Sequence, residues 1–527
     1  MAQWRIDKQE YKQPHNVTLF ETYMRANEYG YIESEGACAR SAFGERIAVQ
    51  LSPKIQSDAV YGLDPREFET LTFGGGTAES VSSMFRVSAS STPNSYGLIR
   101  SINFLRYRPG QGCVCRFTAA FSANPVGFTQ RAGLFNQEQA LQVGYDNVTG
   151  KFGVLRANGG KAHIERFTFT TLGNGNVTVT LNGTTFTAVT LNTTTLDGNI
   201  GQLAQGLQTQ PLFNTLYLVQ YDQTRISFLS RSLGPQTGAF DVTSTDGLAF
   251  TTAVLQAGVA QTNNWTFQED FNIDKLDGTG TSGVILDKSK LNIYQINFRW
   301  LGAGEIRYAI ENPSNGDMIF FHHEHYANRY ETPHLDNPSL KIGYVAANVS
   351  GGTGTVTCKG SSFLGALEGT YQQAKLPFSV TATRTDSMNI PGSNYHLISL
   401  KNKLIYQGKI NTRDLLPVRL VGSVNTTGDP AIISLFWNPV PLDYFKWINQ
   451  TEFSGSLYAT QSSAGLFTLQ AQAIPAIAAF HVTNGDTVDV DLSHLAIHVP
   501  PNSIITAVIK STSNITAASA SFIYVED

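Results

Sequence analysis

The sequence predicts an all-β protein built from two antiparallel sandwiches behind a partly irregular N-terminal arm. Three observations carry this. Short runs alternate between apolar and polar residues along most of the chain, the mark of strands with one buried face. Gly-, Asn- and Pro-containing turns separate the runs at close intervals. Helical periodicity is almost absent, which leaves sheet-on-sheet packing to bury the apolar faces.

The stretch from Trp265 to Tyr344 organises the rest. Asn292, Tyr294, Ile296, Phe298 and Trp300 point one way and Leu291, Ile293, Gln295, Asn297 and Arg299 the other. Leu301-Gly302-Ala303-Gly304 links this run to a second, Glu305–Glu311, and Asn312–Gly316 turns the chain into a third, Asp317–His322. The pattern predicts an antiparallel meander.

At 527 residues the chain is long enough for two or three domains. Residues 1–75 hold much of the charge and read as an arm or docking segment, with a short helix expected over 17–26 on the spacing of Val17, Phe20 and Met24. Residues 76–375 form the larger sandwich. Its expected strands cover 81–89, 99–107, 113–121, 130–135, 141–146, 151–157, 162–170, 177–181, 184–191 and 215–229. Asn182-Gly183 is the strongest hairpin signal, and 196–207 reads as a short inserted helix. Residues 376–527 form a smaller sandwich, with strands expected at 395–402, 415–424, 431–437, 465–473, 478–483, 487–491, 504–511 and 517–525.

Composition narrows the function. Hydrophobic residues make up 41% and charged residues 15%, with a net charge of −4. Asn, Thr, Ser and Gln supply the polarity instead, as suits an uncharged, hydrogen-bonding surface. A nucleic-acid wrapper needs clustered Lys and Arg, so nucleic acid is not an expected partner. The N-terminal stretch lacks the apolar segment of a secretory signal, and no apolar run is long enough for a membrane helix. Of the four cysteines, Cys113 and Cys115 share a strand face and lie far from Cys38 and Cys358 in sequence; no zinc spacing is present and buried free thiols are expected. A reducing compartment of synthesis fits this usage. N-x-S/T triplets at Asn147, Asn182 and Asn449 are what an Asn- and Thr-rich chain produces by chance.

Two stretches carry a resemblance. One comprises Leu276–Gly283 with Leu286-Asp287, Asn292–Gly304, Tyr308–Glu311 and Tyr326–Asn328. The other comprises Leu400–Leu404 with Asn411, Val482–Asp491 and Leu495–Asp527. Together they resemble β-rich virion proteins of large algal and protist DNA viruses and of some tailed phages, over roughly residues 76–527. The resemblance implies a concanavalin-like or jelly-roll sandwich followed by a second β-domain. It also implies a structural role at a capsid surface, vertex or fibre, with glycan attachment as a further option.

Three groups of residues are chemistry candidates. His322, His323, Glu324 and His325, with His334 nearby, are the most conspicuous. On a strand, His323 and His325 face one side, a feasible ligand spacing, but not the helical H-E-x-x-H arrangement. The cluster is read as a polar strand edge at a surface or interface, whose protonation in mild acid would loosen that interface. Asp274, Asp277 and Asp287 sit in a Gly-rich loop and are read as turn residues rather than calcium ligands. Glu305 and Glu311 lie on one strand at a separation of about 20 Å, too far for a glycosidase pair. No nucleophile motif or phosphate loop occurs.

No catalytic, cofactor-binding or metal-binding residue is therefore assigned, and no cofactor is expected. The expectation is a non-enzymatic virion protein, located in the virion, that assembles as a symmetric homo-oligomer with other capsid proteins. A carbohydrate-binding attachment protein that takes a cell-surface glycan is the first alternative, and a polysaccharide-degrading enzyme the second.

Overall fold

A computed structural model describes the backbone of strands at 17–19, 22–26 and 32–34 and residues 51–369, 376–385, 388, 390, 392–439, 445–449, 454–459 and 476–527. The chain is all-β, and every strand pairing among the described residues is antiparallel. No helix is long and apolar enough to cross a membrane among these residues.

The first sandwich faces a seven-stranded sheet against a nine-stranded one. The first sheet runs Thr262–Phe267, Phe152–Asn158, Ala140–Tyr145, Phe128–Phe135, Lys341–Asn348, Tyr96–Ser101, Phe68–Phe73. The second begins at its edge with Met318–Glu324, then Ile306–Glu311, Asn292–Phe298 and Cys113–Phe121. The expected meander is thus present at the edge of this sheet. Its inward residues Tyr294, Ile296 and Phe298 join Phe85, Phe121, Phe128 and Tyr344 in one apolar core. Cys113, Cys115 and Cys358 are buried free thiols in that core, and burial pushes each thiol up. Cys38 lies outside the described residues.

The structure departs from the sequence reading at several places. Residues 17–19 and 22–26 pair as strands, not as a helix; Val17, Thr18, Thr22 and Tyr23 are β-branched or aromatic types that fit a pleated ribbon better. Strands Leu51–Asp58 and Phe68–Phe73 pair with Ser362–Glu368 and Tyr96–Ser101, so residues from 51 onward belong to the first sandwich. The strand expected over 99–107 stops at Ser101, and only Leu105 bridges onward, to Leu340. The strand expected over 465–473 lies outside the described residues.

The largest departure is an insert. Phe152–Asn158 and Thr262–Phe267 are neighbours in the seven-stranded sheet, and the chain between them folds as a separate body. A four-stranded sheet, Tyr217–Tyr221, Arg225–Leu233, Ala162–Leu172, Leu248–Gln256, lies beside a smaller one centred on Gly175–Leu181. Asn182 and Gly183 both adopt positive φ, 50° and 78°, and join Leu181 to Thr184 in the expected tight hairpin. The expected helix is present at Leu196–Gln208, capped by Thr195, whose hydroxyl accepts from the Gly198 N–H. Ile200, Leu203, Ala204 and Leu207 bury its inner face against Phe167, Phe169 and Phe228.

The second sandwich stacks a four-stranded sheet (Phe378–Arg384, Ile515–Glu526, Leu415–Thr426, Thr487–Asp491) on a six-stranded one that includes Tyr395–Asn402, Ile504–Ser511 and Ala431–Trp437. It does not stand apart. Phe436, Phe445, Trp447, Leu457 and Val508 join the apolar core of the insert. Against the first sandwich it places ion pairs, Arg106 with Asp414 at 3.3 Å and Arg108 with Asp527.

Candidate functional site

Two places combine shape with chemistry: a groove on the outer face of the seven-stranded sheet and a cluster at the edge of the other sheet.

The groove measures about 660 Å³. Strand alternation makes its floor. While Ile99, Ala132, Leu141 and Tyr344 face the core, their neighbours Leu98, Arg100, Arg131, Ala140, Gln142 and Val345 face the groove. Phe73 and Tyr96, cross-strand partners, stack at 6.1 Å along one wall, and the insert closes the other with Thr215, Leu216, Arg231 and Ser232. The amide nitrogens of Gln139 and Gln142 are buried here without a protein partner, as is Nε of Arg131. Burial pushes the Arg131 guanidinium down to about 10.

Charge beside the groove is lopsided. Glu69 receives Arg100 at 2.9 and 3.0 Å and Lys341 at 3.0 Å, with Arg231 at 4.0 Å. Burial raises the Glu69 carboxyl, but Arg100 and Lys341 outweigh it and hold the group well below the usual range. One carboxylate thus faces several cations, and no Asp or Glu lines the groove itself among the described residues.

The second place resolves the histidine run. Arg307 pairs with His323 and Tyr308 with His322, and the register slips between Tyr308 and Ala309. Alternation then splits the cluster. His322 turns inward between Phe271 and Tyr308, and burial lowers it to about 4. Glu324 also turns in, to the Arg156 guanidinium at 2.6 Å. His334 is buried beside Tyr326, its Nε2 3.1 Å from the Arg299 carbonyl, and burial lowers it to about 4 as well.

His323 and His325 point outward and meet Glu305. Nδ1 of His323 is 3.1 Å and Nδ1 of His325 3.4 Å from the same Oε1. Arg307 takes the other oxygen, with Nη2 at 2.6 Å and Nε at 2.7 Å. Burial raises the Glu305 carboxyl, but hydrogen bonds from His323 and Arg307 more than offset it and bring it to about 2. The strand Met318–Glu324 is the sheet edge, but the expected polar surface holds only for His323 and His325, since alternation buries His322 and the loop buries His334.

The remaining candidates serve the backbone. Asp274 accepts from the Leu276 and Ser282 N–H groups, Asp277 from Thr279 and Asp287 from Ser289. These carboxylates close turns, and they do not gather into a cation site among the described residues. Glu305 immediately precedes the strand Ile306–Glu311, and Glu311 ends it. The groove residues were not found from sequence, because Arg131, Gln139 and Gln142 match no motif and meet Phe73, Tyr96 and Arg231 only in the folded chain.

No family model matches the sequence, and no curated protein matches it. Several solved structures are similar. One is arcelin-5, a lectin-like defence protein from Phaseolus vulgaris, at 6% identity and TM-score 0.22, covering 60% of this chain and 100% of that one. Another is a lectin from Bauhinia forficata in complex with GalNAc, at 6% identity and TM-score 0.20, covering 61% and 100%. A third, described as the triple jelly roll fold and turret assembly in an archaeal virus, has 8% identity and TM-score 0.17 and covers 97% of each chain.

Proposed function

We propose that this chain is a structural protein of a virion surface, assembling with copies of itself and with other capsid proteins. One observation carries the reading: the apolar core that runs from the insert into the second sandwich through Phe436, Phe445 and Trp447. Units that share a buried core move together, whereas units joined by linkers swing independently. The insert in turn grows from two neighbouring strands of the first sandwich, so the described β units are tied into one block. A low charge density favours close packing of such blocks without strong mutual repulsion. The likeness of residues 76–527 to capsid- and fibre-type proteins points the same way. Native mass measurement and projection images of the purified protein test it: a symmetric ring or trimer is expected, and a monomer that persists at high concentration overturns it.

The groove favours a second reading, a carbohydrate-binding attachment protein. A stacked aromatic wall beside Arg, Gln and Asn donors is the combination that grips sugar faces and hydroxyls. Among the described residues its lining holds no carboxylate, whereas cutting a glycosidic bond uses a pair of them.

A further inference from the structure

We propose that Glu305, His323 and His325 bind a divalent transition metal of the zinc class. Their ligand atoms lie within 4.8 Å of one another. In a tetrahedral zinc site with arms of about 2.1 Å, two ligand atoms stand about 3.4 Å apart. The observed separations from Glu305 Oε1 are 3.1 and 3.4 Å. Two imidazole nitrogens therefore converge on one oxygen at the spacing of a shared ion. The two rings stand nearly perpendicular, at 83°, so they reach the same oxygen without stacking on one another.

The supporting residues fit the same use. Arg307 holds Oε2 and so turns Oε1 toward the histidines, the orienting task that outer hydrogen bonds perform at metal centres. Its charge offsets that of Glu305, so attraction to a bare cation is weak and binding must come from nitrogen coordination. That selects metals that favour imidazole over calcium and magnesium, which require an oxygen cage. The sheet register supplies rigidity. His323 sits on the edge strand opposite Arg307, with Glu305 immediately before the neighbouring strand. A bound ion would thus pin the end of the sheet edge to its neighbour. The His325 side chain is 53% exposed, which leaves the fourth coordination position open to water.

The test is titration of the purified full-length protein with zinc chloride by calorimetry, in buffer free of phosphate and chelator, with cobalt substitution as a spectroscopic readout. One ion per chain at micromolar affinity or tighter is expected, with cobalt bands of a tetrahedral nitrogen–oxygen site. His323→Ala and His325→Ala should each weaken binding by at least about tenfold, whereas His481→Ala and His494→Ala, on exposed positions elsewhere, should leave it unchanged. His325 lies beyond the strand end and half in solvent, so its truncation spares the fold; His325→Ala with unchanged circular dichroism is the decisive variant. Absence of zinc binding overturns the proposal. So does binding that survives His325→Ala, falls equally in the control variants, or is displaced by calcium.

Discussion

Arg106 and Asp414 pair at 3.3 Å across the joint between the two sandwiches, with side chains only 12% and 4% exposed. The neighbouring Arg108–Asp527 pair repeats the arrangement. Removing one member of a buried pair strands the other charge, which costs about 3–5 kcal/mol. Asp414→Ala should therefore lower the denaturant midpoint markedly, and the double variant Arg106→Met/Asp414→Leu should recover most of the loss. An unchanged midpoint in Asp414→Ala would show that the joint does not depend on this pair.

Trp447 is among the largest fully buried side chains, and it sits where the insert meets the second sandwich. Trp447→Ala should cost about 3–5 kcal/mol. Because the lost contacts span two units, a single calorimetric transition should split in two. A split without loss of stability, or loss without a split, would mean the two units are not coupled through this residue.

Lys401 is buried with its ammonium 5.6 Å from the Trp447 ring centre and 6.0 Å from that of Tyr221. Burial pushes it from 10.5 down to about 8. Between those values the unfolded chain holds a proton that the folded chain has released, so stability should rise with pH across that window. Below about 8 the folded protein carries a cost on the order of 3 kcal/mol. Lys401→Met should stabilise by about 1–3 kcal/mol at neutral pH and abolish the alkaline rise, read from midpoints at pH 7 and 10.

His396 is fully buried in the second sandwich, with Nε2 2.8 Å from the Ser399 hydroxyl. Burial, aided by Arg384, lowers it from 6.5 to about 3. A histidine held neutral in this way contributes its full stability above 6.5 and loses it as pH falls toward 3, since the unfolded chain takes up the proton first. His396→Gln should flatten the melting temperature between pH 7 and 4. An equally steep acid loss in the variant would assign the effect elsewhere.

The groove reading makes its own demand. Phe73 is 41% exposed and presents its ring beside Tyr96, so Phe73→Ala removes the stacking face with little cost to the core. Any glycan retained by the wild type on an array should be lost by Phe73→Ala and by Arg131→Ala, by about tenfold or more for each. A signal unmoved by both would place the sugar contact away from this sheet.

Much of the strand pattern was legible in the residues. Cys113–Phe121, Tyr395–Asn402, Ala431–Trp437 and Ile504–Ser511 have the expected bounds, because alternation and flanking turns act locally. Asn182-Gly183 announced its hairpin because few residue pairs take positive φ twice. The hairpin at Ser82-Ser83, with φ of 53° and 57°, gave no such signal, since serine is not selected for that conformation. The run expected over 81–89 therefore divides there into two strands.

Period-two alternation says which residues share a face, but not which sheet they join. The sequence by itself determined that His323 and His325 look the same way and that Glu305 and Arg307 do too. Only the tertiary structure decided that these two faces are one, because strand register is set by the core residues between them and not by the residues they bring together. The same holds for the insert. Its strands were visible one by one, but their separation from the first sandwich, and the core they share with Trp447, follow from contacts between residues more than two hundred positions apart.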